Sequence, residues 1–263
     1  EAVPALFLPA DITDEAAVAD VCARAVAETG RLDVIVNVAG QMIYKPLEDL
    51  TMDDWQRLFA VNLFGAAQFI RQGLRLIGPG GAIVNVASIH AHQTSPLVAP
   101  YAAAKAGLVS LTRSAAIEGK EKGIRVNAVL PGAVETQMLR DSPNIKSGAE
   151  TIDPADIGMP AEIAAAIAFL EPFIANGSAS GVMHFGGSEA TSWHGFAEAI
   201  FDEAAVHGRP RPQVEAITTA DYPTPAKRPA YSVLDCGRFL ALPGATLPDW
   251  RASLKAVVST LTA

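Results

Sequence analysis

Tyr101-Ala102-Ala103-Ala104-Lys105 sets a phenol and an amine four residues apart. On an α-helix, residues i and i+4 project from one face, so both groups can address one small molecule. Thirteen residues before Tyr101, Ser88 follows the apolar run Ala82 to Ala87. That run reads as a strand of a parallel sheet, and ligands of doubly wound sheets bind at the carboxyl ends of the strands. Further upstream stand Asn62, within Val61-Asn62-Leu63-Phe64-Gly65, and Asn37-Val38-Ala39-Gly40, which ends the run Val34-Ile35-Val36. A lone Tyr-x-x-x-Lys is weak, because such pairs arise by chance on many helices. The ordered set of four features is far more specific than any one of them.

Such residues need a scaffold, and the sequence offers alternating strands and helices. Ala5 to Leu8 reads as a strand, Asp14 to Thr29 as an Ala-rich helix ending at Gly30, and Val34 to Val36 as the next strand. A long helix is expected from Thr51 to Leu76, with Thr51 as N-cap and Asp53 and Asp54 in its first turn. The turn Gly78-Pro79-Gly80-Gly81 feeds the strand Ala82 to Ala87. Then follow a helix over Tyr101 to Lys120, a strand over Ile124 to Leu130 and a helix over Pro160 to Leu170. This βα rhythm predicts an α/β fold: a Rossmann-like, doubly wound parallel sheet, buried on both faces by helices.

Beyond Asn176-Gly177 the texture changes. Gly181 to Phe185 reads as one more strand, and Ser192 caps a helix with Trp193, Phe196, Ile200 and Phe201 on one face. Five prolines between Pro210 and Pro229 exclude a helix or central strand over most of that span. A last helix is expected from Pro248, with Pro at its first position and an apolar stripe of Trp250, Leu254, Val257 and Leu261. The expected division is a Rossmann-type domain over residues 1–180 and a smaller C-terminal segment over residues 181–263.

Composition narrows the function classes. Half of the 263 residues are hydrophobic and 18% are charged, which excludes an intrinsically disordered chain. Lys and Arg number 20 against 28 Asp and Glu, a formal charge of −8, with no basic cluster for nucleic acid. No apolar run approaches the ~18–20 residues of a membrane span. Cys22 and Cys236 lie far apart without a CxxC spacing, so neither a zinc knuckle nor a disulfide framework is indicated, and the cytoplasm is the expected compartment. His184, His194 and His207 show no metal-ligand spacing, and no metal site is expected. His90 and His92 follow Ser88 in a loop expected to shape a substrate pocket. The chain opens at Glu1 without a signal-peptide pattern and reads as cut from something larger.

Over roughly residues 3–171 these motifs resemble the short-chain dehydrogenase/reductase family. Its common pattern is NNAG, Asn, Ser, YxxxK and then Pro-Gly, here Pro131-Gly132; Val38 replaces the second Asn of NNAG. The resemblance implies hydride transfer between NAD or NADP and a small carbonyl or alcohol, in a homo-oligomer. It gives Tyr101 the role of general acid or base. A free Tyr has a pKa near ~10, so Lys105 beside it is expected to favour tyrosinate and to hold the nicotinamide ribose. Ser88 is expected to bind the substrate oxygen, and Asn62 to hold a water that links Lys105 to solvent. On the cofactor side the implied contacts are Asp11 and Ile12 at the adenine, and Asn37, Ala39 and Gly40 where backbone approaches the cofactor. Pro131, Gly132, Val134 and Thr136 fall at the carboxamide. For Asp11 or Thr13, and for Thr136, the alternative is a plain helix cap.

The family's glycine-rich turn, which binds the pyrophosphate, has no counterpart among the 263 residues. The resemblance implies two missing βα units, roughly 50–60 residues, and weak NAD(P)(H) binding by the chain as given. The missing strands belong between Ala5–Leu8 and Val34–Val36, so these two are expected to pair directly or the first to be poorly ordered. The tail resembles a different family, dTDP-4-dehydrorhamnose reductase, in Gly181 to Phe185, Thr191 to Ala197, Tyr222 to Pro225, Lys227 to Asp235 and Leu247 to Arg251. The chain thus reads as a junction of two related dehydrogenases near residues 171–185. A dTDP-sugar is the alternative substrate, and a non-catalytic scaffold the third reading.

Overall fold

The computed structural model describes residues 5–148, 152, 157–175, 183–218, 221 and 233–262. Two compact units divide the chain: Glu1–Thr151 with Leu170–Ser178, and Ile152–Phe169 with Ala179–Ala263. The boundary expected at 180 lies outside the described residues.

In the first unit, helix α1 (Glu15–Thr29) starts at Asp14, whose carboxylate accepts from the Ala16 N–H at 2.8 Å, and ends at Gly30. Strands β1 (Val34–Asn37), β2 (Ala82–Val86) and β3 (Arg125–Val129) form a parallel sheet in the order β1-β2-β3. Their Val- and Ile-rich runs suit this pleat. Ile35 pairs in register with Ile83, and Ile83 with Val126, so all three share one face. There they pack with Ile70 of helix α3 (Ala66–Leu76) and Ala115 of helix α4 (Ala99–Lys120). Helix α4 buries Tyr101, Ala104, Lys105, Leu108, Thr112, Ala115 and Gly119, a stripe at helical spacing that lays the whole element along the sheet.

Two expectations need correction. Residues 5–8 form no strand and do not pair with β1; Leu6 and Phe7 stand 58% and 87% exposed. An extended apolar segment becomes a strand only by pairing, and the ladder ends at β1. Cover on both faces holds at β2, where Ala82 to Asn85 are all buried. It fails at β1, where Val34 and Val36 are 44% and 42% exposed on the face opposite Ile35.

Helix α2 (Met52–Phe59) begins with a full capping box. Thr51 Oγ1 accepts from the Asp54 N–H, and the Asp54 carboxylate accepts from the Thr51 N–H. The same carboxylate accepts from Lys45 Nζ at 2.9 Å, and the Lys45 bond with the Thr51 donors holds its pKa down at about 2. Thr51→Ala is expected to lower stability by about 1 kcal/mol, read as a drop in the urea midpoint at constant slope. An unchanged midpoint would mean the lysine bridge alone secures this helix start.

In the second unit, helix α6 (Trp193–Val206) is capped by Ser192, whose hydroxyl accepts from the Gly195 N–H at 3.1 Å. Phe196 and Ala199 pack with Trp250 of helix α7 (Trp250–Thr262), and Ile200 and Leu254 extend the cluster. Trp193, expected on the buried face, is 54% exposed. Pro248 is not the first residue of α7: the helix starts at Trp250, where the Asp249 carboxylate accepts from the Arg251 N–H at 2.9 Å and so caps the first turn. Of the strand expected over Gly181–Phe185, residues 183–185 are not strand, and 181–182 lie outside the described residues. Also outside them lie 222–232, which carry the tail motif Tyr222 to Pro225 and most of Lys227 to Asp235.

Candidate active site

The helix expected from Thr51 to Leu76 is interrupted by a π-helical turn, Ala60–Gly65, and Asn62 sits in it. In an α-helix the Leu58 carbonyl would accept from the Asn62 backbone N–H. Here the Asn62 side chain also donates to that carbonyl, Nδ2 to Leu58 O at 3.0 Å. The same amide donates to Gln41 O at 2.9 Å and accepts from Gln41 N at 3.1 Å. A buried Asn62 thereby ties the widened turn to the loop after β1, a use of π turns common at functional sites. Gly40 lies against the pair: a Cβ there would stand 3.1 Å from Asn62 Oδ1 and 3.7 Å from Lys105 Nζ.

Tyr101 and Lys105 both lie on the buried face of α4. Lys105 Nζ donates to the Val86 carbonyl at 2.8 Å and sits 5.6 Å from the Tyr101 ring centre. Ser88 follows β2 and forms a hydrogen bond with the Tyr101 phenol. Its Oγ also accepts from the His90 N–H at 3.2 Å. The His90 ring meets the Tyr101 ring edge-on, with centres 5.8 Å apart, whereas His92 is exposed.

Burial pushes the Lys105 amine down to about 8. Burial also pushes the Tyr101 phenol above its ordinary value; the Ser88 bond opposes this, and the neighbouring Tyr44 phenol adds to it. The sequence leads one to expect Lys105 to draw Tyr101 toward tyrosinate; in this structure burial dominates the phenol, and the Lys105 amine donates to the Val86 carbonyl.

The cofactor-side residues separate into those joined to this cluster and those apart. Ile12 packs on Gly65, the last residue of the π turn, so closely that a Cβ at 65 would lie 2.7 Å from Ile12 Cδ1. Asp11 is exposed and accepts from the backbone and hydroxyl of Thr13, both at 2.8 Å, which lowers its pKa. The cap of α1 is Asp14, so neither Asp11 nor Thr13 serves as the cap. Pro131 O accepts from the Ile89 N–H at 2.9 Å, placing the Pro131-Gly132 turn beside the Ser88 loop; Gly132 faces open space. Thr136 caps the four-residue helix α5 (Gln137–Arg140) and donates to Val134 O at 3.2 Å. Ala39 is exposed, and Asn37 turns its amide toward β2, donating to Asn85 Oδ1 at 2.8 Å.

Four further residues shape this region: Tyr44, Leu97, Asn144 and Asn85. Tyr44 donates to Met138 O at 3.4 Å and reaches Tyr101 electrostatically. Leu97 adopts a left-handed φ of 69°, a strained state for leucine, with its carbonyl accepting from the Lys45 N–H at 2.9 Å. The preceding Pro96 carbonyl accepts from the buried Asn144 amide at 3.0 Å. Asn85 is fully buried between Asn37 and Thr112. Of these, only Asn85 had a signal in the sequence, as the single polar residue of Ala82-Ile83-Val84-Asn85-Val86. Among the described residues no three His, Cys, Asp or Glu gather to hold a metal, and no helix is long and apolar enough to cross a membrane.

A parallel sheet with this cluster at its carboxyl edge defines a Rossmann-like protein. Comparison with known proteins places the chain further. The family described as Enoyl-(Acyl carrier protein) reductase matches residues 1–177, and the RmlD substrate binding domain matches residues 153–263. The chain belongs to the short-chain dehydrogenase/reductase family. It is 41% identical over 171 residues to cis-4-hydroxycyclohexanecarboxylate dehydrogenase of Sinomonas cyclohexanicum, covering 63% of this chain and 69% of that protein. It is 43% identical over 132 residues to 2,3-dihydro-2,3-dihydroxybenzoate dehydrogenase of Escherichia coli, covering 49% and 53%. A solved short-chain dehydrogenase from Burkholderia cenocepacia in complex with NADP aligns with a TM-score of 0.56 at 32% identity, covering 62% and 67%. The chain thus spans from about half to about two-thirds of the length of such curated relatives.

Proposed function

We propose that this protein is an NAD(P)-dependent oxidoreductase that acts on a small carbonyl compound or secondary alcohol, with Tyr101 as its general acid. The observation that carries this reading is the hydrogen-bonded Ser88–Tyr101 pair beside the buried Lys105 amine. The residues fit a nicotinamide dinucleotide: Gly40 leaves room beside Asn62 Oδ1 and Lys105 Nζ that any Cβ would fill. Lys105 would hold the ribose hydroxyls, Asp11 and Ile12 the adenine, Asn37, Ala39 and Gly40 the adjoining strand end, and Pro131, Gly132, Val134 and Thr136 the carboxamide. The dinucleotide supplies the hydride when bound. Ser88 orients the substrate oxygen, and Tyr101 gives it a proton. A phenol raised above its ordinary pKa stays protonated at neutral pH, which suits the reducing direction. Asn62 braces the loop after β1 and holds the water through which Lys105 exchanges protons.

A second reading, a dTDP-4-keto-sugar reductase, is favoured by the match of residues 153–263 to the RmlD substrate binding domain. On either reading residues 1–180 act as the dehydrogenase part and residues 181–263 as the substrate side, in a cytoplasmic homo-oligomer. Thermal shifts with millimolar NADH, NADPH or dTDP separate the two. Ligand that binds only the folded state raises its stability by mass action. A rise with a dinucleotide supports the first reading, and a rise with dTDP alone the second. No rise with any of the three overturns both.

A further inference from the structure

Asn85 is 0% exposed, in a strand whose other residues are apolar. It is one link of a buried chain of hydrogen bonds. Asn37 Nδ2 donates to Asn85 Oδ1 at 2.8 Å, and Asn85 Nδ2 donates to Thr112 Oγ1 at 2.9 Å. The Thr112 hydroxyl donates to the Leu108 carbonyl at 2.7 Å. Direction along this chain is set from its far end. A carbonyl can only accept, so the Thr112 oxygen is left to accept from Asn85, and Asn85 in turn to accept from Asn37.

The chain joins the three elements that carry the site. Asn37 ends β1 three residues before Gly40, and Asn85 stands directly opposite it in the β1–β2 register. Asn85 is three residues before Ser88 and next to Val86, whose carbonyl receives Lys105 Nζ. Leu108 is three residues beyond Lys105 and seven beyond Tyr101 on α4. Apolar residues of similar shape would fill this interface without leaving polar atoms to satisfy, and such replacements are often neutral for stability. A directional chain adds what apolar packing lacks, a single allowed register between strand and helix.

We propose that Asn85 is a positioning residue that sets the register of β1, β2 and α4 and thereby seats Lys105 and Tyr101 against Ser88. For catalysis this rests on the oxidoreductase reading above. Asn85→Leu alone strands Thr112 and is expected to lower the melting temperature, so the deciding variant is Asn85→Leu/Thr112→Val, in which both buried partners become apolar together. That protein is expected to melt within a few degrees of wild type, with kcat for carbonyl reduction down roughly tenfold or more and KM for NADPH within about threefold. A second readout needs no substrate. Lys105→Met removes from wild type a shift in denaturation midpoint between pH 8 and 10, and that shift should shrink by at least about half in the double variant background. Asn85→Gln, which keeps the amide but not its reach, should behave like the double variant in kcat. Wild-type kcat and an undiminished Lys105-dependent shift in the double variant would make Asn85 merely structural and overturn the proposal. A wild-type protein that turns over no carbonyl compound would instead count against the oxidoreductase reading, and the pH shift would still decide the role of Asn85.

Discussion

Tyr101→Phe is expected to reduce turnover of any accepted carbonyl compound by roughly a hundredfold or more, the low end of the usual 10²–10⁴-fold worth of a general acid. The substitution removes one oxygen and little volume from a buried ring. Packing against the His90 ring, with centres 5.8 Å apart, and beside Lys105 Nζ at 5.6 Å can persist. Ser88 loses its phenol partner but keeps the His90 N–H at 3.2 Å, so the loop after β2 stays anchored. The nearby Tyr44 hydroxyl does not take the phenol's place, because it is turned toward Met138 O. Dinucleotide affinity should therefore stay within about threefold, since the variant leaves Lys105 and Gly40 in place. Steady-state oxidation of NADH or NADPH with a carbonyl panel gives the first quantity, and quenching of cofactor fluorescence the second. Retention of more than about a tenth of wild-type turnover would remove Tyr101 from the role of acid.

What the sequence made legible are the elements whose own residues carry enough information. The α1 helix announces its end with Gly30 and needs only its Ala-rich interior. Tyr101 and Lys105 share one helical face whatever lies opposite, so their common direction could be read from spacing alone, while the burial of that face comes from the sheet it packs on. Failures occur where a distant partner decides. Ala5 to Leu8 has the composition of a strand but no strand to pair with. In the π turn the Asn62 amide bonds both Leu58 O and Gln41, a loop residue twenty-one positions earlier that helical spacing cannot reveal. Trp193 lies at helical spacing from Phe196 and Ile200, yet the packing that settles the face centres on Phe196, Ala199 and Trp250. For the site, motif spacing named Asn62, Ser88, Tyr101 and Lys105. It could not name Tyr44 or Leu97, which come near only through the folding of two loops. Charge balance was the least legible feature. A positive neighbour lowers a phenol's pKa, but burial acts on the same phenol in the opposite sense, and only the fold reveals which is larger.

Burial of Lys105 should make folding stability rise with pH between about 8 and 10.5. The folded protein holds this amine at about 8, against an ordinary lysine value of 10.5, with burial as the cause. Below pH 8 the amine is charged in both states, and its charge is less well solvated in the fold. Between the two values the unfolded chain binds more protons than the folded one, so raising the pH favours folding. Above 10.5 the amine is neutral in both, and the penalty is gone. Each unit of difference is about 1.4 kcal/mol, so the full span is on the order of 3 kcal/mol. Other groups oppose this trend. Burial pushes the Cys22 and Cys236 thiols up from 9.0 and the Tyr101 phenol up from 10.0, so the fold retains their protons longer and loses stability as they ionise in the unfolded chain. The raw slope is therefore a sum of opposed effects, and the difference from Lys105→Met isolates the lysine. Urea titrations at pH 7.5, 8.5, 9.5 and 10.5 should find the methionine variant gaining on wild type most at the lowest pH, with the gap closing by about 3 kcal/mol toward the highest. A gap that stays constant across the series would mean that Lys105 titrates as a solvated lysine. Its amine would then lack the desolvation that depresses its pKa in the fold.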